Sequence, residues 1–228
     1  MDTKAIQIID NREPLINFPK DFICVPMYFR QGLTKDNSMQ LREGAVNALI
    51  KAKKNLPSDW NFLIWDGYRP LNLQQKLYND LTTLRKTEHP EWDSSKLAKE
   101  VEKFVKYASY DPSRPSPHNT GGAVDLTIID ADGKELDMGT SFDEFTEKSY
   151  TWDEKKNHKN TSIYDIEDYD KTRRITPEQS KNRKILREIL MSEGFGPYQW
   201  EWWHFNFGNV GWAEYYDKAV AFYGSLEL

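Results

Sequence analysis

The run Ser116-Pro117-His118-Asn119-Thr120-Gly121-Gly122-Ala123-Val124-Asp125 decides how this chain is read. Gly121-Gly122 permits a tight turn or a positive φ. The residues after it alternate as a strand does. Ala123, Asp125 and Thr127 point one way, and Val124, Leu126 and Ile128 the other. The second set predicts a core face. The first places a carboxylate among small and polar neighbours, facing open space. His118 lies just before the turn, so the two-glycine pivot can bring its imidazole back over Asp125.

A second segment has the same logic. In Glu201-Trp202-Trp203-His204 and the residues after it, Trp203, Phe205 and Phe207 form an aromatic face that predicts core. His204 and Asn206 share the opposite face with Trp202. Strict alternation puts Glu201 and His204 on opposite faces, so both reach one site only if the chain bends at the strand entrance. Taken singly, a histidine is more often structural than a ligand, Asp125 suits a turn or edge, and Glu201 suits a solvated strand end. Taken jointly they do not read so, because ionisable groups inside apolar strands are costly unless paired or metal-bound. Two imidazoles, one carboxylate and a spare carboxylate match a catalytic zinc site. Three ligands leave a position for water, and the spare group serves as general base. His89, before Pro90, and His158, in a charged stretch, read as surface residues. Cys24 reads as a small buried hydrophobe.

Working outward, residues 39–55 carry Leu41, Ala45, Ala48, Leu49 and Ala52 at helical spacing. A short apolar strand over Asn61–Trp65 is broken by Asp66-Gly67. Leu73, Leu77, Leu81 and Leu84 mark a second helix after Pro70, and Ser95–Ala108 a third. Ala123–Asp130 is a strand ending in an Asp132-Gly133 turn. A fourth helix opens at Thr176 with Pro177 in the first turn and Gln179 placed for a capping box, and ends at Gly194. Trp202–Phe207 is the last strand. Residues 1–36, with Pro14, Pro19 and Pro26, suit extended chain and loops. Residues 147–174 are dense in charge and read as a surface excursion. The sum predicts an α+β fold, a small antiparallel sheet carrying the metal site and packed against several helices, as one domain over 1–228.

Composition narrows the function classes. The chain has 228 residues, of which 38% are apolar and 14% aromatic, enough for a real core without a stapling metal or disulfide. Lys plus Arg is 31 and Asp plus Glu is 36, a net charge of −5 with no basic block, which argues against a nucleic-acid partner. A single cysteine excludes a disulfide scaffold. No run approaches the ~18 apolar residues of a membrane span. The N-terminal stretch lacks a basic region followed by an apolar run. The expectation is a soluble cytoplasmic protein with no membrane partner.

These motifs resemble a known family. Ser116 to Asp125 together with Glu201 to His204 is similar to the D-alanyl-D-alanine metallopeptidases of the M15 type. Trp65-Asp66-Gly67-Tyr68-Arg69-Pro70, Glu201-Trp202-Trp203-His204-Phe205 and Met138-Gly139-Thr140-Ser141-Phe142-Asp143 resemble the VanX-like dipeptidase branch more than the carboxypeptidase branch. The resemblance implies one Zn²⁺ per chain on His118, Asp125 and His204, with Glu201 as general base. It implies Arg69 beside the developing oxyanion, and Ser116 and Asp143 at the free amine of a small dipeptide, D-alanyl-D-alanine. The stretch 25–38 departs from the tyrosine-containing segment of the dipeptidases, with Tyr28 the candidate for its counterpart. The rivals are a D,D-carboxypeptidase with the same metal site, a non-haem iron oxygenase and a non-catalytic zinc or cell-wall module. The absence of an export signal weighs against the first. A seven-residue spacing between His118 and Asp125 weighs against the second, and the spare Glu201 against the third.

Overall fold

The computed structural model of the chain describes residues 5–153, 155 and 163–227. Its strands are β1 (Gln7–Ile8), β2 (Leu15–Asn17), β3 (Ile23–Cys24), β4 (Gln40–Arg42), β5 (Asn61–Asp66), β6 (Ala123–Ile129), β7 (Gly196–Pro197), β8 (His204–Asn206) and β9 (Val220–Ala221). Its helices are α1 (Met27–Arg30), α2 (Glu43–Lys53), α3 (Leu71–Glu88), α4 (Ser94–Val101), α5 (Ile163–Thr172), α6 (Pro177–Ser192) and α7 (Val210–Tyr215). The central sheet has the order β3-β5-β6-β8-β7. It is antiparallel throughout except at its edge, where β3 runs parallel to β5. The pairs β1–β9 and β2–β4 form two small accessory sheets. The α+β class expected from the sequence holds.

Every residue of β6 is buried, as is β5 from Phe62 onward, so these are central strands covered on both faces. One apolar cluster joins their side chains to Leu41, Val46 and Leu49 near α2 and to Leu186 and Leu190 of α6. A second cluster joins Tyr28 to Leu73, Leu77 and Leu81 of α3 and Leu97 and Val101 of α4. Phe142 and Phe145 pack against both clusters, so the loop that carries Asp143 lies along the seam between them.

Local signals hold where chain chemistry alone decides. Thr176 and Gln179 form a complete capping box, Pro177 opens α6, and Gly194 follows it at φ +89°. The Asp132-Gly133 turn is closed by the Gly133 N–H donating to the Asp130 carbonyl. Other boundaries shift. Residues 40–42 pair with β2 as a strand, so α2 begins at Glu43 rather than near 39. The third helix stops at Val101, although Val105 and Ala108 stay buried beyond it. The last strand covers only His204–Asn206, because Trp202 and Trp203 lie in a turn. The excursion at 147–174 is no mere surface stretch. It contributes α5 and buries Tyr150, Trp152, Ile166, Asp170 and Arg173. His158 lies outside the described residues.

Leu126 is fully buried, whereas Leu84 on α3 is 51% exposed. In urea denaturation Leu126→Ala should cost ~2–5 kcal/mol and Leu84→Ala no more than ~0.5 kcal/mol. Equal losses would mean that the leucine stripe of α3 is packed along its whole length.

Candidate active site

Three strands deliver the site. Asp125 on β6 stands directly across from His204 on β8. On its other side it pairs with Asp66 at the end of β5, where a register slip after Ile64 re-aims that residue. His118 arrives from the short 3-10 turn His118–Thr120. Gly121, at φ +67°, turns the chain into β6, and a Cβ on Gly122 would press on the Phe207 carbonyl. The two glycines therefore act as the pivot their spacing suggested. The bend that Glu201 needed is also present. The His204 N–H donates to the Glu201 carbonyl at 3.3 Å, so 201–204 is a turn. It brings Glu201 Oε2 to 3.8 Å from His204 Nδ1.

His118 Nε2 lies 3.1 Å from His204 Nδ1 and 3.4 Å from Asp125 Oδ2, and His204 Nδ1 lies 3.0 Å from Asp125 Oδ1. The opposite ring nitrogens have their own partners. His118 Nδ1 is 2.8 Å from the Gly67 carbonyl, and His204 Nε2 is 3.2 Å from Asn206 Oδ1. Those acceptors call for N–H on the outer side of each ring and leave both inner lone pairs aimed at one point. Two imidazole lone pairs and a carboxylate converging so closely suit a shared positive charge, a proton or a metal ion. Asp66, Asp125, Asp143 and Glu201 outnumber the cations Arg69 and Lys106, and the excess is met in part by protons kept on Glu201 and Asp143. All three groups are buried, their donor atoms lie within 4.8 Å of one another, and the cluster can hold a metal ion.

Arg69 is anchored beside it. Its Nε and Nη2 donate to Asp66 Oδ2 at 2.9 and 2.6 Å, Nη1 donates to Gln74 Oε1 at 3.0 Å, and Nη2 donates to the Tyr28 hydroxyl at 3.2 Å. Nη2 also lies 3.8 Å from Asp125 Oδ2. Tyr28, Asp143 and Glu201 line one cleft with the cluster. Tyr198 and Lys106 line it too. Ser116 is not brought there. Its hydroxyl donates to the Tyr107 carbonyl, and it lines an adjoining cavity instead. Trp202 is core, its indole N–H donated to Thr140 Oγ1. Cys24 packs against the core, and burial pushes its thiol up to about 11.

The carboxyls divide by environment. Burial opposes ionisation of Asp125, but the two imidazoles outweigh it and hold the acid well below the usual range. Burial, then the charges of Asp125 and Asp143, push Glu201 well above it. Burial and Asp125 push Asp143 up to about 7, against the pull of Arg69 and of its hydrogen bond with Tyr28. His204 is lowered, chiefly by burial. The sequence reading had no signal for Gln74, Tyr198 or Lys106, which are scattered along the chain. Asn206 was legible only as a neighbour on the His204 face.

A family profile described as D-ala-D-ala dipeptidase, within the M15 peptidases, matches residues 29–162 and 168–223. The chain belongs to that family, and it is a peptidase. It is 29% identical over 205 residues to the D-alanyl-D-alanine dipeptidase of Synechocystis sp., covering 82% of this chain and 79% of that one. It is 28% identical over 192 residues to the enzyme of the same description from Enterococcus faecalis, again covering 82% and 79%. A Zn(II) complex of the vancomycin-resistance D,D-pentapeptidase VanY aligns at a TM-score of 0.45 and 14% identity, over 95% of this chain and 96% of that one. That likeness is too distant to carry an argument. Among the described residues no helix is long and apolar enough to cross a membrane.

The raised Asp143 carboxyl makes the metal-free protein pH-sensitive. Between pH ~4 and the folded value of about 7, the unfolded chain releases a proton that the folded state keeps, so stability falls as pH rises through that window. Asn tolerates the left-handed backbone at this position, φ +58°. Metal-free Asp143→Asn should therefore exceed the parent in urea stability at pH 8 by on the order of 2–4 kcal/mol and match it near pH 4. Parallel curves across that range would mean that Asp143 ionises normally.

Proposed function

We propose that this peptidase is a zinc-dependent dipeptidase that hydrolyses D-alanyl-D-alanine to two molecules of D-alanine, in cell-wall precursor turnover or glycopeptide resistance. The observation that carries the reading is Glu201, a buried carboxylate beside the His118, Asp125 and His204 cluster yet outside it. The two imidazoles and one carboxylate suit zinc, whose catalytic sites take three protein ligands. Zinc, when bound, supplies Lewis acidity to the scissile carbonyl and makes water nucleophilic near neutral pH. In that field the proton affinity of Glu201 would fall from the high value set by burial and, after it, by its anionic neighbours.

Glu201 takes a proton from the attacking water as the oxygen–carbon bond forms, and passes it to the leaving amine nitrogen as the carbon–nitrogen bond breaks. Arg69, already held by Asp66, Gln74 and Tyr28, turns its remaining N–H toward the oxygen on which charge develops. Asp143, with the Tyr28 hydroxyl against it, receives the substrate's ammonium group. Tyr198 and Phe145 line the same cleft, and a substrate as small as D-alanyl-D-alanine is selected by polar placement rather than by buried area.

Chelation should abolish hydrolysis of D-alanyl-D-alanine and added Zn²⁺ restore it, while L-Ala-L-Ala and N-acetylated D-Ala-D-Ala remain uncut. Activity in metal-free protein would sink the reading. Glu201→Gln should keep a full zinc content and lose ~10²–10⁴-fold in kcat. A near-normal kcat would pass the proton transfer to another acid, with Asp143 the first to test. Arg69→Ala should lose ~10²–10³-fold in kcat. A change confined to KM would make it a binding group instead.

A further inference from the structure

A free dipeptide carries a carboxylate about one residue length beyond the scissile bond. Taking that charge out of water into a narrow cleft requires a cation. Arg69 is poorly placed to supply it. Four of its five N–H donors are committed to Asp66, Gln74 and Tyr28. The other cationic side chain on the cleft wall is Lys106.

Lys106 is anchored through its backbone. Its carbonyl accepts from Gln74 Nε2 at 2.5 Å, and the same Gln74 holds Arg69 from its other end. The side chain is exposed. Its ammonium lies 6.0 Å from the centre of the Tyr198 ring, which in turn packs 5.1 Å from the His204 ring. Its charge reaches Glu201, whose carboxyl it pulls down. Lys106 borders both the catalytic cleft and the adjoining cavity, whose lining also includes Glu102, Asp111 and Glu214.

We infer that Lys106 reads the substrate's free carboxylate, folding over the cleft mouth from its anchor on Gln74. This rests on the dipeptidase reading above. It completes the recognition of a zwitterion, with an anion for the ammonium end and a cation for the carboxylate end. It also gives the site a reason to prefer a dipeptide over an amide or a chain extended at its C-terminus.

The test separates this inference from the reading it rests on. Binding of D-alanyl-D-alanine and of its C-terminal amide is measured by calorimetry on zinc-loaded Glu201→Gln protein, with and without Lys106→Met, which keeps the apolar stem. Steady-state kinetics are measured in the Glu201 background. Lys106→Met should weaken binding of the free dipeptide, and raise its KM, ~10–100-fold, the range for losing one charged contact. kcat should stay within about threefold and the amide should be unaffected, while Lys106→Arg should restore most of the loss. Unchanged dipeptide binding in Lys106→Met, or an equal loss with the amide, would overturn the inference while leaving the dipeptidase reading intact. Failure of the parent to hydrolyse or bind any free dipeptide would overturn both.

Discussion

Buried negative charge is the constraint on which this structure turns. Asp125 sits at the centre of the sheet with His204 across one ladder and Asp66 across the other. Glu201 and Asp143 raise the count of carboxyls around the cleft. Such a set is desolvated only with protons or cations to offset it: Glu201 and Asp143 hold protons more tightly than usual, and Asp125 leans on its imidazole partners. Arg69 answers part of the need from within the fold, clasped by Asp66 on one side and lying 3.8 Å from Asp125 on the other. Converging imidazole lone pairs point to where the rest must come from. Stability and chemistry are thus coupled in one place, since the cation that would activate the site is also the one that would relieve it.

The surrounding scaffold exists to hold these groups still. Asp125 and His204 come from paired strands of a covered sheet, and His118 from the 3-10 turn that leads into it, so their rotamers have little freedom. The opposite wall comes from the other apolar cluster, with Tyr28 ahead of β5 and Phe104 and Val105 beyond α4. The cleft therefore lies where two independently packed bodies of side chains meet. Enzyme sites favour such seams, because a crevice between packed units needs no cavity cut into either core.

Asp143 depends on a second network far from the chemistry. Buried Arg183 on α6 donates to the carbonyls of Met138 and Lys148, and buried Arg173 donates to those of Glu147 and Tyr150. Asp170 is the carboxylate shared by the two guanidiniums. Main-chain carbonyls at 138–150 thereby become the partners of two arginines, and the loop between them is fixed with Asp143 in a left-handed conformation. The charged stretch at 147–174 acts here as a clamp, which is why its polar composition misled a reading of it as surface.

The sequence alone singled out the candidate cluster and its local frame. Two of the four histidines, His118 and His204, stand near a carboxylate and an apolar strand, and burying ionisable groups there is costly unless they are paired or bound to metal. The capping box of α6, the two-glycine pivot and the alternation of β6 were legible because each is settled within a few residues of chain. Tertiary structure alone decided the rest. The 201–204 turn, against strict alternation, is fixed by packing Trp203 into the core and Trp202 against Thr140. Strand 40–42, the edge strand β3 and the early end of α4 follow from partners distant in sequence, which no local pattern encodes. The rim of the cleft, with Gln74, Lys106 and Tyr198, belongs to the same class. Those side chains are ordinary where they stand in the chain and become a site only when α3, the residues after α4 and the approach to β8 converge on one cleft.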